Sequence, residues 1–159
     1  MLRILFIFLC LCISINVSAE KSSHGFKILT NVKKVGSSMG NCHMGTCSWS
    51  KPISVRAVQQ SKEQAILEIT LLGGESADEG KRPTIRWNKE PHKIVITCSY
   101  NHPSVSMDGQ VDELPLNANG VPDVLISATN LYFQYCHSYN NGQYDGIKKF
   151  GYNVENNNP

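Results

Sequence analysis

The order of two features sets bounds on this chain: a secretory-type leader comes first, and four cysteines follow it. Met1-Leu2-Arg3 is a short cationic start, Ile4 to Ile15 is an apolar run broken only by Ser14, and Val17-Ser18-Ala19 has a small-x-small form. That three-part plan reads as a signal peptide over residues 1–19, and its apolar run is too short to span a bilayer. The mature chain is then expected to begin near Glu20 and to be periplasmic or secreted, where thiols oxidise. Cys42, Cys47, Cys98 and Cys136 therefore read as two disulfides, with three connectivities open. A Cys47–Cys98 bridge would close a loop of about 50 residues and contribute about 4 kcal/mol in the chain-entropy model. A Cys42–Cys47 bridge would constrain only its own turn. Cys10 and Cys12 leave with the leader, and the bulky residues before them do not suit lipid anchoring.

Removing nineteen of 159 residues leaves 140, the size of one domain with a core of its own. The leader carries one Arg and no acid, so the formal charge falls from +2 to +1, with acids and bases interspersed. Lys33-Lys34 and Lys148-Lys149 are pairs rather than a basic stripe, which argues against nucleic acid as a partner. No apolar run in the mature chain approaches a membrane span.

Residues 20–40 are polar, mixed and glycine-containing, and read as a flexible or weakly structured segment ahead of a globular domain over 41–152. Ile53, Val55 and Ala57 alternate with polar residues as in a half-buried strand, Ser61 to Gln64 forms a polar turn, and Ala65 to Leu72 returns as a second strand. Glu75 to Arg82 reads as a charged surface loop, and Thr84 to Trp87 as a short strand. His92 to Ser99 is rich in β-branched residues, as in a central strand. Asp108-Gly109 marks a tight hairpin within 104–114. After Pro122, Val124, Ala128, Leu131, Tyr132 and Tyr135 recur at helical spacing, which predicts one helix ending near Cys136-His137. Beyond Tyr139 the chain is rich in Asn, Gly and Tyr, and residues 153–159 read as a disordered tail. The expected class is α+β: a small antiparallel sheet with one C-terminal helix, braced by disulfides.

The densest chemistry lies in Asn41-Cys42-His43-Met44-Gly45-Thr46-Cys47-Ser48-Trp49. Thiolate, imidazole and thioether together suit copper, and a copper or zinc site would draw on Cys42, His43, Met44, Cys47 and, if the helix end returns to this loop, His137. Oxidised cysteines are not ligands, so a disulfide-held loop with a packed Trp is the simpler expectation. A cysteine hydrolase using His92 as base lacks the helix that lowers the thiol pKa, since Pro52 and a strand follow Cys47. Adjacent pairs such as Asp78-Glu79 and Asp112-Glu113 point to opposite strand faces, and no phosphate-cradling glycine loop is present. No cofactor is expected. The aromatic residues crowd the C-terminus: Tyr132 and Tyr135 suit the helix's buried face, while Tyr139, Tyr144, Phe150 and Tyr152 are either pinned to the sheet or offered to a partner.

Cys42-His43-Met44-Gly45-x-Cys47-Ser48-Trp49, with Leu71-Leu72-Gly73-Gly74, Trp87, Pro91-His92, Cys98-Ser99 and Leu131-Tyr132-x-x-x-Cys136-His137, resembles a group of small exported bacterial proteins. The resemblance covers residues 41–137. It implies a bacterial, single-domain, disulfide-containing protein and carries no catalytic role. With no catalytic set assembled, the functional expectation is a non-catalytic, inhibitor-like binding module for a protein or small-molecule partner. Its surface would comprise His43, Met44, Trp49 and His137.

Overall fold

Alternation of apolar and polar residues puts most of the regular structure among the described residues into strands. The computed structural model describes residues 25–77 and 83–155; the leader, residues 20–24, residues 78–82 of the expected charged loop and the final 156–159 lie outside them. Seven antiparallel strands form one curled sheet: β1 Ser38–His43, β2 Thr46–Gln60, β3 Gln64–Ser76, β4 Arg86–Trp87, β5 His92–Ser99, β6 Ser104–Met107 and β7 Gln110–Glu113. The order is β1-β2-β3-β5-β6-β7, with β4 joined to the far end of β3. Among the described residues no helix is long and apolar enough to cross a membrane.

The β2–β3 hairpin is the longest element, and its turn is closed by one side chain. Ser61 Oγ accepts from the backbone N–H of Gln64 at 3.0 Å and donates to the Gln64 carbonyl at 3.1 Å, the hydroxyl-capped turn that serine favours. Along β3 the alternation is clean: Ala65, Leu67, Ile69 and Leu71 are buried. Along β2 it is not. Two bulges interrupt the register, one between Pro52 and Ser54 and one between Ala57 and Gln59. Each inserts an unpaired residue, Ile53 and Val58, and both side chains are exposed. The expected alternation of Ile53, Val55 and Ala57 on one face is therefore corrected, and Val55 alone packs against the core. β1 covers β2 only as far as Ser50. The bulges twist the edge beyond it, which blunts further strand addition.

β5 runs with the boundaries its composition predicts and sits between β3 and β6. The β6–β7 hairpin turns at Asp108-Gly109, both with positive φ (51° and 85°), as a two-residue turn requires. The buried faces of β3, β5 and β6 carry Ile94, Ile96, Cys98 and Val105 against one helix, α1 Ile126–His137, which is preceded by a 3-10 turn over Asp123–Leu125.

Residues 132 to 137 of α1 are all buried, so this half of the helix is covered on every side. A second helix supplies part of that cover. α2, Gln143–Phe150, lies where the sequence pattern offered only loose Asn/Gly chain, and the single expected helix is corrected to two. Gly146 is why the two helices meet closely: a Cβ there would stand 3.1 Å from the Phe133 ring. The N-terminal segment supplies another part. Residues from 25 onward are irregular but packed rather than loose, since Phe26, Ile28 and Leu29 lie on the core. The Leu29 N–H donates to the Tyr135 carbonyl at 3.0 Å, satisfying an orphan acceptor of the last helical turn. At the start of the expected tail, Val154 is held by two hydrogen bonds. Val154 N–H donates to the Leu116 carbonyl, and Asn117 Nδ2 donates to the Val154 carbonyl, both at 2.8 Å.

Candidate functional site

The two disulfides join Cys42 to Cys47 and Cys98 to Cys136, and they define two different ends of the molecule. Cys42 and Cys47 face each other across the β1–β2 hairpin as a register pair, with Cα atoms 4.0 Å apart. His43 pairs with Thr46, and Met44-Gly45 form the turn with φ values of 49° and 77°. Methionine in the left-handed region carries a steric cost that glycine avoids. Here the Met44 side chain is 90% exposed. His43 is exposed as well. The result is a short, covalently closed hairpin whose tip offers an imidazole and a thioether to solvent.

Trp49 stands behind this tip and is half-buried. It pairs with Gly74, which pairs in turn with Trp87 on β4. Gly74 has to be small, because a Cβ would lie 2.7 Å from the Trp87 ring and 2.9 Å from Ile85. Gly73 leaves similar room on the other face, where a Cβ would meet Asn88 Nδ2 at 2.9 Å and His92 at 3.6 Å. Trp49 Nε1–H donates to Ser76 Oγ at 2.9 Å, so its polar edge is spent inside the protein. Of the stretches singled out in the sequence, Gly74 and Trp87 thus pack on one face of β3, and Gly73 and His92 meet on the other.

The second disulfide lies at the other extreme. Cys98 and Cys136 have no exposed surface, and their bridge ties β5 to the end of α1. Beside it runs a hydrogen-bonded chain. Ser99 N–H donates to Tyr132 Oη at 3.0 Å and Tyr132 Oη–H donates to the Ser99 carbonyl at 2.8 Å. Tyr132 and Tyr152 hydroxyls are 2.8 Å apart, and His137 Nε2 lies 2.7 Å from the Tyr152 hydroxyl. Counting protons fixes the directions. Tyr132 spends its proton on Ser99, so Tyr152 must donate to Tyr132, and His137 must donate to Tyr152 from a protonated Nε2. Neutral His137 with Nε2–H is the one tautomer that supplies every contact.

His137 is therefore a core residue, 5% exposed and stacked on Phe150 with ring centroids 3.9 Å apart. Burial pushes its pKa down to about 4, because the cation loses its hydration. Burial raises Tyr132 and Tyr152 above the usual phenol range and pushes Tyr135 up to about 12. Its place in the expected binding surface with His43, Met44 and Trp49 is corrected: it faces the aromatic cluster of Phe26, Tyr100, Tyr152 and Phe150. The expected ligand set of Cys42, His43, Met44, Cys47 and His137 is not brought together either. Both cysteines are bridged, and among the described residues no group of three or more His, Cys, Asp or Glu is placed to hold a metal. The thiol a cysteine hydrolase needs is likewise engaged in a bridge. Of the late aromatic residues, Phe150 and Tyr152 are pinned to the core, Tyr139 is half-buried against Phe133 and Phe150, and Tyr144 is exposed over Gly120.

One feature escaped the sequence pattern. Between the helix-facing side of the sheet and α1 lies an open cleft of about 920 Å³. Its walls include residues 48–50, 71, 92 and 107 on the strands and 126, 127, 130, 131, 133 and 134 on the helix, positions whose proximity depends on register and helix docking rather than on local pattern. Comparison with family models, curated proteins and solved structures gave no match.

Proposed function

We propose that this chain is an exported, non-catalytic binding module, periplasmic or secreted, that engages a protein partner through the tip of its disulfide-closed β1–β2 hairpin. The observation that carries this reading is Met44: a large apolar side chain held almost fully in water, at a left-handed backbone position, by a bridge immediately behind it. A flexible loop would let such a side chain fold back; the Cys42–Cys47 closure and the Trp49 base oppose that. Pre-organisation of this kind lowers the ordering cost of association, and methionine adapts well to partner surfaces. The two disulfides and the lack, among the described residues, of a membrane-crossing helix are compatible with an extracellular setting. The resemblance of the cysteine-centred motifs to small exported bacterial proteins points the same way.

The test is site-specific photo-crosslinking in the exporting cell, with the photoreactive residue placed at position 44 or, as control, at Lys62 in the β2–β3 turn. A discrete protein adduct from position 44, absent from position 62, is expected. No adduct from position 44, or the same adducts from both positions, would overturn the reading.

A further inference from the structure

The cleft between α1 and the sheet has the volume of a ligand site, and its lining is unusual in kind. From the sheet come Ser50 and the His92 imidazole; from the helix come Ser127, Asn130 and Gln134; the following loop adds Asn140. Cross-strand pairing places Ser50 opposite Gly73 and His92 opposite Leu71 on the helix-facing side of the sheet. Among the described residues that line the cleft there is no Lys or Arg, and Asp123 is the lone acid. Gln134 is the telling group. It is only 7% exposed and borders the cleft. A primary amide at a sheltered cleft wall offers both a donor and an acceptor to a neutral polar ligand.

Three ligand classes can be set against this lining. An anion would want cationic partners, and the described lining has none. An apolar ligand would strip water from hydroxyls and amides without replacing their hydrogen bonds, at about 1–3 kcal/mol for each group left unpaired. An extended peptide binds chiefly by pairing its main chain with an open strand edge. Here the floor is a sheet face, and β2 at Ser48 to Ser50 is already flanked by β1 and β3. What remains is a neutral ligand rich in groups that both donate and accept, because Ser, Asn and Gln side chains do the same. Apolar and aromatic side chains make up the rest of the lining, Trp49, Leu71, Leu131, Phe133 and Tyr139 among them, which suits the C–H face of a sugar ring.

We propose that the cleft between α1 and the sheet is a binding site for a neutral oligosaccharide, with Gln134 and Asn130 as its principal hydrogen-bonding side chains. The site is separate from the hairpin tip and does not depend on the reading of the hairpin as a partner-binding element.

The test is titration of the oxidised protein with triacetylchitotriose, cellotriose and maltotriose, followed by calorimetry and by saturation transfer to the sugar protons. Binding of at least one is expected. Gln134→Leu should weaken it by about tenfold or more, the equivalent of one lost hydrogen bond in a sheltered site, and Asn130→Ala by roughly three- to fivefold. Lys62→Ala, at the distant turn, should leave it unchanged. Asn130 is exposed, so its variant remains informative if Gln134→Leu does not fold. Binding of none of the three sugars, binding indifferent to both cleft substitutions, or preferential binding of an uncharged tripeptide such as Gly-Ser-Gly would each overturn the proposal.

Discussion

The two disulfides make opposite use of the same bond. Cys98–Cys136 is fully buried, spans 38 positions of sequence and ties the central strand to the helix. Cys42–Cys47 spans five positions and closes a hairpin that its own turn already brings together. In the chain-entropy model a 38-residue closure contributes about 4 kcal/mol, whereas a five-residue closure contributes about 2 kcal/mol. The first bridge braces the fold, and the second shapes a surface. The same contrast extends to their neighbours: beside Cys136, His137 is sequestered in a proton-ordered chain, while beside Cys42, His43 stands in solvent.

The sharpest way to break this comparison is to remove each bridge in turn. Replacing Cys98 and Cys136 together by Ala should cost about 4 kcal/mol and lower the melting temperature by on the order of 10 °C or more, read by circular dichroism. If the Cys42/Cys47 double variant falls as far, the division of labour is wrong.

Acid should act on the buried end alone. Burial holds the His137 pKa at about 4, below the ordinary imidazole value of 6.5. Between those values the unfolded chain binds the proton that the folded chain excludes, so stability is full above about pH 6.5 and declines as pH falls toward 4. The shift sets an upper limit of about 3 kcal/mol, reduced to about 2 by residual solvent screening. Denaturant melts at pH 7 and pH 4.5 measure it. Replacement of His137 by Phe should flatten the dependence whatever it does to absolute stability.

Tyr152→Phe removes the hydroxyl that links His137 to Tyr132, leaving the buried His137 Nε2–H without its acceptor and Tyr132 Oη without one of its donors. A loss of about 1–3 kcal/mol is expected by chemical denaturation, with both disulfides intact. A neutral result would show that the chain of hydroxyls is a by-product of aromatic packing. At the other end, Cys42→Ser with Cys47→Ser should cost about 2 kcal/mol at most and abolish the position-44 crosslink. Met44→Ala should change stability by less than about 0.5 kcal/mol while weakening partner capture.

Much of the sheet was legible because its signals are local. His92 to Ser99 carries its own β-branched run, Asp108-Gly109 its own turn chemistry, and the Ser61 turn its own cap. The bulges at Ile53 and Val58 were not, because an inserted residue leaves no mark on the hydrophobic pattern beyond an exposed apolar side chain. α2 was missed for a related reason. It has eight residues, begins after Gly142 and contains Gly146, which lowers helix propensity but is the residue that admits the Phe133 ring. Tertiary contact overrides propensity there. Disulfide pairing was open to three solutions and depended on β5 and the end of α1 meeting in space.

Of the expected surface, His43, Met44 and Trp49 do cluster at one hairpin, because sequence neighbours across a tight turn remain neighbours in space. His137 was placed there only through its adjacency to Cys136, and Cys136 belongs to the other bridge. The cleft with Gln134 gave no sequence signal: a Gln one residue from a buried Tyr in a helix reads as a solvated position until the sheet and loop close over it.

Native-state hydrogen exchange on the oxidised protein tests the contrast most directly. Amides of β5 and of the last turns of α1 should exchange only through global unfolding, with protection that tracks denaturant. Amides at the Cys42–Cys47 hairpin should exchange through local opening that denaturant leaves largely unchanged. Equal, global-type protection at both ends, or earlier opening at the Cys98–Cys136 end, would contradict the assignment of one bridge to the fold and the other to the surface.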